Sequence, residues 1–208
     1  GDADRCLAVD ENGNLVDGDY LIAICAKDMK DRGVLKKNAV VGTIMTNMGF
    51  NKFCEENGMK FVSTKVGDRY VLEAMLQDGY NIGGEQSGHI ILLDYETTGD
   101  GQLSGATVLS IMKRTGDKLS SLAKVMERMP QVLINVKVSA EGKLAFYNDK
   151  EIKSEIKHVT DILGDRGRIL VRVSGTEPLV RVMLEGENLE EIQSLAEEAA
   201  QVVRERLA

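Results

Sequence analysis

Residues 39–93 constrain the fold more tightly than any other stretch of the chain. "AVVGTIM" (39–45) is an unbroken apolar run, the pattern of a strand buried on both faces of a parallel sheet. A helical stretch around 48–57 ends at Gly58, and "KFVST" (60–64) returns to strand character. "VGDRYVLEAMLQDG" then switches to helical period and stops at Gly79, a residue type suited to a helix C-terminus. "NIGGEQSGHIILLD" reads as a glycine-rich loop running into a strand over Ile90–Leu93. Strand and helix alternate, and that alternation is the signature of an α/β layer.

The flanking sequence fits the same layer. Leu7–Val9 and Leu15–Val16 flank the turn residues Glu11-Asn12-Gly13-Asn14, so a hairpin is expected. Asp17 or Asp19 could cap the helix that follows, with Leu21, Ile22, Ile24, Cys25 and Met29 on its apolar face. "TTGDGQLSGATVLSIMKRTG" and "KLSSLAKVMERMP" read as two more helices, the second with an inner stripe of Leu119, Leu122, Val125, Met126 and Met129. Pro130 stops that helix and marks the domain boundary.

Beyond Pro130 the order is β-α-β-β-α. "VLINVKV" (132–138) is a strand, a helix follows from about Asp149 to Leu163, and "RILVRVS" and "LVRVMLE" flank a tight "GTEP" turn. The last helix has Asn188 as N-cap and Glu191 at N3, a capping-box arrangement. The expected fold class is therefore α/β. A mixed α/β sheet domain over 7–130 precedes a small α+β domain over 131–208, which has a largely antiparallel sheet and two helices.

Composition narrows the partners. Hydrophobic residues make up 43% and charged residues 28%, enough for a core without a disulfide or metal staple. A formal charge of −7 argues against nucleic acid or an anionic membrane surface as a partner. Cys6, Cys25 and Cys54 show no CxxC spacing and fit a reduced, cytoplasmic protein. No apolar run is long enough to span a membrane, and nothing resembles a signal peptide. Oligomeric state is not legible, and a homo-oligomer stays open.

Four loops could carry chemistry. "RVSGTEPLVR" (172–181) joins Arg172 to a small-residue turn of Ser174, Gly175 and Thr176, with Arg181 on the return strand. Such a loop suits a phosphate, although Ser, Gly and Pro are equally common in plain turns. "GGEQSGH" (83–89) offers Glu85, Gln86, Ser87 and His89 on a backbone that a ligand can approach closely; a polar loop with a structural histidine reads the same way. Lys65 in "STKVGDRY" (63–70) follows a strand, where ligands bind in α/β sheets, yet it would also pass for a surface charge. "GDADR" (1–5) places Asp2 and Asp4 two residues apart, able to converge on a hard cation such as Mg²⁺ or simply to be solvated.

Taken together and in this order, the four loops resemble the α-D-phosphohexomutases. Members of that family carry a "DGDxDR" metal loop, a "GExSxH"-type sugar loop and an "RxSGTEP" phosphate loop. "GGEQSGH" with "VGDRYV" is most similar to the branch acting on glucosamine phosphates, rather than the phosphomannomutase/phosphoglucomutase branch. The resemblance covers essentially the whole chain. It implies that residues 1–6 are the remnant of the metal-binding loop, 7–130 the third domain and 131–208 the C-terminal domain. Asp2 and Asp4 would be Mg²⁺ ligands and Arg5 would approach a phosphoserine. Glu85 and Ser87 would contact sugar hydroxyls. Arg172, Ser174, Gly175 and Thr176 would bind the phosphate not being transferred, supported by Arg181. Lys65 and His89 would be the proton-transfer candidates.

The implied reaction interconverts a hexosamine 6-phosphate and 1-phosphate through a phosphoserine and a bisphosphate, and it supplies amino-sugar nucleotide and cell-wall precursor synthesis. No "ASHNP"-type serine loop occurs in the chain. The resemblance therefore implies that the N-terminal domains of the same enzyme are partners. The chain alone is expected to be inactive and to hold Mg²⁺ poorly. A freestanding sugar-phosphate binding module is the rival reading. A phosphatase using an aspartate of "GDADR" fits less well, since its DxDx[TV] pattern wants Thr or Val where Cys6 stands.

Overall fold

The chain enters on a short antiparallel ribbon, β1 (Ala8–Val9) and β2 (Leu15–Val16). Asp10 orders its turn: one carboxylate oxygen accepts the Asn12 and Asn14 N–H groups at 2.8 Å each. The computed structural model describes residues 2–175 and 177–208. These form two units, the first ending at Arg128 and the second running Met129–Ala208.

In the first unit α1 (Gly18–Asp31) is capped by Asp17, which accepts the Tyr20 N–H. Asp19, the other candidate cap, lies buried inside the first turn. There follow β3 (Ala39–Thr43), α2 (Met48–Glu56), β4 (Lys60–Thr64), α3 (Asp68–Asp78), β5 (Ile82–Gly84), β6 (Ile90–Leu92), α4 (Gly101–Thr115) and α5 (Leu119–Leu122). The sheet order is β4-β3-β5-β6. β3 runs parallel to both β4 and β5, and β6 is antiparallel to β5. Successive residues serve opposite faces. Val40 and Ile90 join a core with Leu21, Ile22, Phe50, Val108 and Ile111, while Val41 and Ile91 pack with Val71, Met75 and Tyr80. Two covered faces explain why Ala39, Val40 and Val41 are apolar in succession.

Two local expectations change. The glycine-rich loop begins as a strand: Ile82–Gly84 is β5, so "NIGGEQSGHIIL" is a hairpin with its tip at residues 85–89. The second helix expected before Pro130 is only α5 and a 3-10 turn over Ala123–Val125, after which Met126 is extended at φ −134, ψ 139. Unwinding there buries Met126 and lets Arg128 reach the capping carboxylate of Asp17 at 2.7 Å.

The second unit contains β7 (Gln131–Lys137), α6 (Ala140–Ala145), α7 (Lys150–Leu163), β8 (Gly167–Val173), β9 (Leu179–Gly186) and α8 (Leu189–Leu207). Its sheet is antiparallel throughout, in the order β7-β9-β8. Val180, Val182 and Leu184 of β9 pack with Val159 and Leu163 of α7 and with Ile192, Ala196, Ala199 and Val203 of α8. The short helix α6 is an addition to the two expected. Asn188 caps α8 by accepting the Glu190 and Glu191 N–H groups. Its expected reciprocal partner is engaged elsewhere, because the Glu191 carboxylate takes two bonds from Arg166 at 2.7 and 3.1 Å.

Candidate functional site

Parallel strands deliver their C-terminal ends to one edge of a sheet, and the loops there form the ligand crevice. β3, β4 and β5 run parallel, so the loops at 44–47, 65–67 and 85–89 share that edge. The hairpin tip is closed by the Gly88 N–H donating to the Glu85 carbonyl at 3.0 Å and the Glu85 N–H donating to the His89 carbonyl at 2.9 Å. Ser87 is exposed at the turn, and Glu85 and Gln86 are half-buried. One Glu85 oxygen accepts the Gly67 N–H at 3.0 Å, tying the sugar-loop candidate to the loop that carries Lys65. Lys65 itself is exposed, with its ammonium 5.8 Å from the Tyr70 ring centre.

The N-terminal segment lies along the same hairpin. Arg5 and His89 form an antiparallel bridge, and the Cys6 N–H donates to the Gly88 carbonyl at 3.0 Å. Main-chain pairing thus sets residues 5–6 against residues 88–89, while the Ala3 carbonyl accepts the Gly101 N–H at 2.8 Å. The Arg5 side chain is 63% exposed and 3.9 Å from Asp4. His89 is 4% exposed, with Nε2 3.9 Å from an Asp68 oxygen and Nδ1 without a hydrogen bond among the described residues. A proton-transfer role for His89 must contend with that enclosure.

The neighbouring Asp4 carboxyl holds the Asp2 carboxyl below its ordinary value. Two converging oxygen donors suit a hard cation and fit part of a Mg²⁺ ligand set. Among the described residues no third Asp, Glu, His or Cys completes one.

Sequence reasoning missed what supports the hairpin tip from behind. Gly18 donates its N–H to the Gln86 carbonyl at 3.0 Å. The next residue, Asp19, is 1% exposed; its Oδ2 accepts the Asn47 N–H at 2.9 Å and a Gln86 side-chain N–H at 3.4 Å. Asn47 caps α2 at the end of the loop after β3. The available signal was a second aspartate in "DGD" left over once Asp17 had taken the cap.

In the second unit β8 delivers Arg172 and β9 returns with Arg181 directly opposite in register. Burial, then the neighbouring Arg181, pushes the Arg172 guanidinium below its ordinary value. No carboxylate pairs with it among the described residues, whereas Arg181 donates to Glu177 at 2.6 Å. A half-buried cation without an acid partner is an anion acceptor in waiting. Ser174 is buried, its hydroxyl accepting the Glu177 N–H at 3.2 Å, and Gly175 is exposed. Thr176 lies outside the described residues.

The first unit also holds a cleft of about 300 Å³ lined by Ile24, Asp28, Ile111, Leu122 and Val125. It shares no residue with these loops. Lys27, Asp31, Thr115, Ser121 and Lys124 also line the cleft, so its wall is mixed rather than apolar.

Comparison with known proteins shows the family of both units. Residues 17–129 match the family model for phosphoglucomutase/phosphomannomutase, alpha/beta/alpha domain III, and residues 133–202 match the C-terminal domain of the same family. Phosphoglucosamine mutase of Clostridium novyi is 55% identical over 99% of this chain, which amounts to 46% of that relative. The phosphoglucosamine mutase of Caldanaerobacter subterraneus is 54% identical over 100% of the chain and 46% of its own length. The chain thus spans about half the length of the curated relatives it matches. Among solved structures, N-acetylphosphoglucosamine mutase of Aspergillus fumigatus, in complex with GlcNAc-6P and magnesium, superimposes with TM-score 0.83 at 22% identity, covering 100% of this chain and 48% of the other. A phosphoglucomutase/phosphomannomutase family protein from Burkholderia thailandensis gives 0.78 at 20% identity, covering 100% and 46%. At such identities these two carry the fold alone.

Proposed function

Because the chain belongs to the phosphoglucomutase/phosphomannomutase family and matches its third and C-terminal domains, we propose that it is the substrate-reading part of a phosphoglucosamine mutase. In this reading the whole enzyme interconverts glucosamine 6-phosphate and glucosamine 1-phosphate. A phosphoserine contributed by its N-terminal domains passes a phosphoryl group to the free hydroxyl, and the bisphosphate turns round to return the other. It works in the cytoplasm and feeds amino-sugar nucleotide and cell-wall precursor synthesis.

The observation that carries the proposal is Arg172. It is a half-buried guanidinium without a carboxylate partner among the described residues, opposite Arg181 on a turn of small residues. Arg172, Ser174, Gly175 and Thr176 hold the phosphate that is not reacting, and Arg181 supports them. That grip is indifferent to which end of the sugar carries the phosphate, as a substrate bound in two orientations requires. Glu85, with one oxygen anchored on the Gly67 N–H, and the exposed Ser87 meet the sugar hydroxyls. Lys65, open to solvent, is the better placed proton-transfer group, and the enclosed His89 holds the metal loop against the hairpin. Arg5 approaches the phosphoserine. Asp2 and Asp4 would hold Mg²⁺, which when bound supplies positive charge against the transferring phosphoryl group.

The test is a substrate panel on this chain fused behind the N-terminal half of the Clostridium novyi relative. Turnover should favour glucosamine 6-phosphate over mannose and glucose 6-phosphates. A folded fusion that prefers mannose or glucose phosphates would overturn the glucosamine assignment. A folded but inert fusion that still binds sugar phosphate would favour a binding module instead.

A further inference from the structure

We propose that Asp19 is a positioning residue for the sugar loop, acting through the Gln86 side chain to fix the tip that presents Glu85 and Ser87. The inference rests on the reading of Glu85 and Ser87 as sugar contacts, and it gives a role to the one polar residue of the tip that the family resemblance leaves without one.

The tip is gripped from two sides. On one, the Glu85 carboxylate accepts the Gly67 N–H at 3.0 Å. On the other, consecutive residues at the start of α1 hold Gln86: Gly18 by the main chain at 3.0 Å and Asp19 by the side chain at 3.4 Å. Taking a carboxylate out of water is costly unless bonds replace its hydration. Asp19 is 1% exposed, and its Oδ2 accepts both the Gln86 amide and the Asn47 N–H. Its place in the first turn of a helix favours the negative charge. The same oxygen therefore ties the loop after β3 to the tip of the β5–β6 hairpin, and two walls of the crevice are held as one piece. Within this grip the Asp19–Gln86 bond alone uses a side chain of residue 86. A change at 86 can loosen the tip without removing a main-chain bond or a core contact.

Gln86→Met keeps the side-chain length and removes the N–H donor; Asp19→Asn removes the charge. Dissociation constants of the 208-residue chain for glucosamine 6-phosphate and for inorganic phosphate would be measured by NMR titration. Amide exchange at Gly18 and Gly67 would be followed alongside. Gln86→Met should weaken glucosamine 6-phosphate about fivefold, the size of one modest hydrogen bond, while inorganic phosphate binding and the melting temperature stay unchanged. Exchange at Gly18 and Gly67 should quicken. Asp19→Asn should act in the same direction, and the double variant should bind no worse than the weaker single. Gln86→Met with unchanged sugar-phosphate affinity and unchanged exchange would overturn the proposal, even if Asp19→Asn proves too unstable to measure. If the unaltered chain binds no glucosamine 6-phosphate, the functional reading fails, and exchange alone decides the clamp. Faster exchange supports it, and no change overturns it.

Discussion

Replacing Gly18 with alanine tests how tightly the start of α1 holds the hairpin tip. The new Cβ would stand 2.1 Å from the Glu85 carbonyl oxygen, 2.7 Å from the Gly88 nitrogen and 2.8 Å from the Gln86 carbonyl oxygen. A relaxed carbon–oxygen contact is about 3.3–3.6 Å, so the tip or the helix must retreat by more than ~1 Å. All three obstacles are main-chain atoms, and no rotamer change relieves them. Overpacking of this kind costs about 1–3 kcal/mol, and losing the Gly18–Gln86 bond adds about 1 kcal/mol. The total of about 2–4 kcal/mol, at roughly 4 °C per kcal/mol for a unit of this size, lowers its melting temperature by about 8–16 °C. Scanning calorimetry reads that shift, and ¹H–¹⁵N spectra locate the disturbance at residues 85–88. A variant melting within about 2 °C of the parent, with unmoved resonances at the tip, would refute the close approach and the clamp with it.

Two further predictions concern other parts of the chain. Asp149 caps α7 by accepting the Glu151 and Ile152 N–H groups at 2.9 and 3.0 Å and also pairs with Arg206 at 3.0 Å. The Ile152 amide first, with Arg206 in support, lowers its pKa from 3.8. A depressed carboxyl stabilises the fold above its unfolded pKa, and that contribution disappears as pH falls through the folded value. Asp149→Ala should cost about 1 kcal/mol at pH 7, and chemical denaturation should show the difference shrinking below pH ~4; an undiminished difference at pH ~2.5 would contradict it. Burial pushes the Cys25 and Cys54 thiols up to about 12, so an alkylating reagent at pH ~8 should leave both unmodified in the native chain and label both after unfolding. Native labelling of either would show that its enclosure is wrong.

The α/β layer was legible because Ala39, Val40 and Val41 serve two apolar faces at once, and because Gly79 and Gly116 end their helices in the left-handed region. β5 was not, since Ile-Gly-Gly has little strand propensity. Its glycines are needed by packing instead, as a Cβ at Gly84 would meet the His89 carbonyl at 2.3 Å. α6 escaped notice because its six residues include Gly142 and its end is tied to a distant partner, with the Ser139 N–H donating to the Leu207 carbonyl at 3.3 Å. Site candidates announced themselves where chemistry is concentrated in short motifs, as in "RVSGTEP" and "GGEQSGH". Asp19 and Asn47 did not, because their importance lies in long-range bonds that no local spacing encodes.

The proposal's central claim has a part in each unit: Arg172 as an acceptor of phosphate, and the hairpin tip as a reader of sugar hydroxyls. The most direct measurement is a ¹H–¹⁵N titration of the chain with glucosamine 6-phosphate, repeated on Arg172→Met. The account predicts shifts at Arg172, Ser174 and Gly175 and at Glu85–Ser87, with the first group abolished in the variant and affinity reduced at least tenfold, as loss of a charged hydrogen-bonding pair implies. Saturable binding with full affinity in Arg172→Met, or shifts confined to other surfaces, would contradict it.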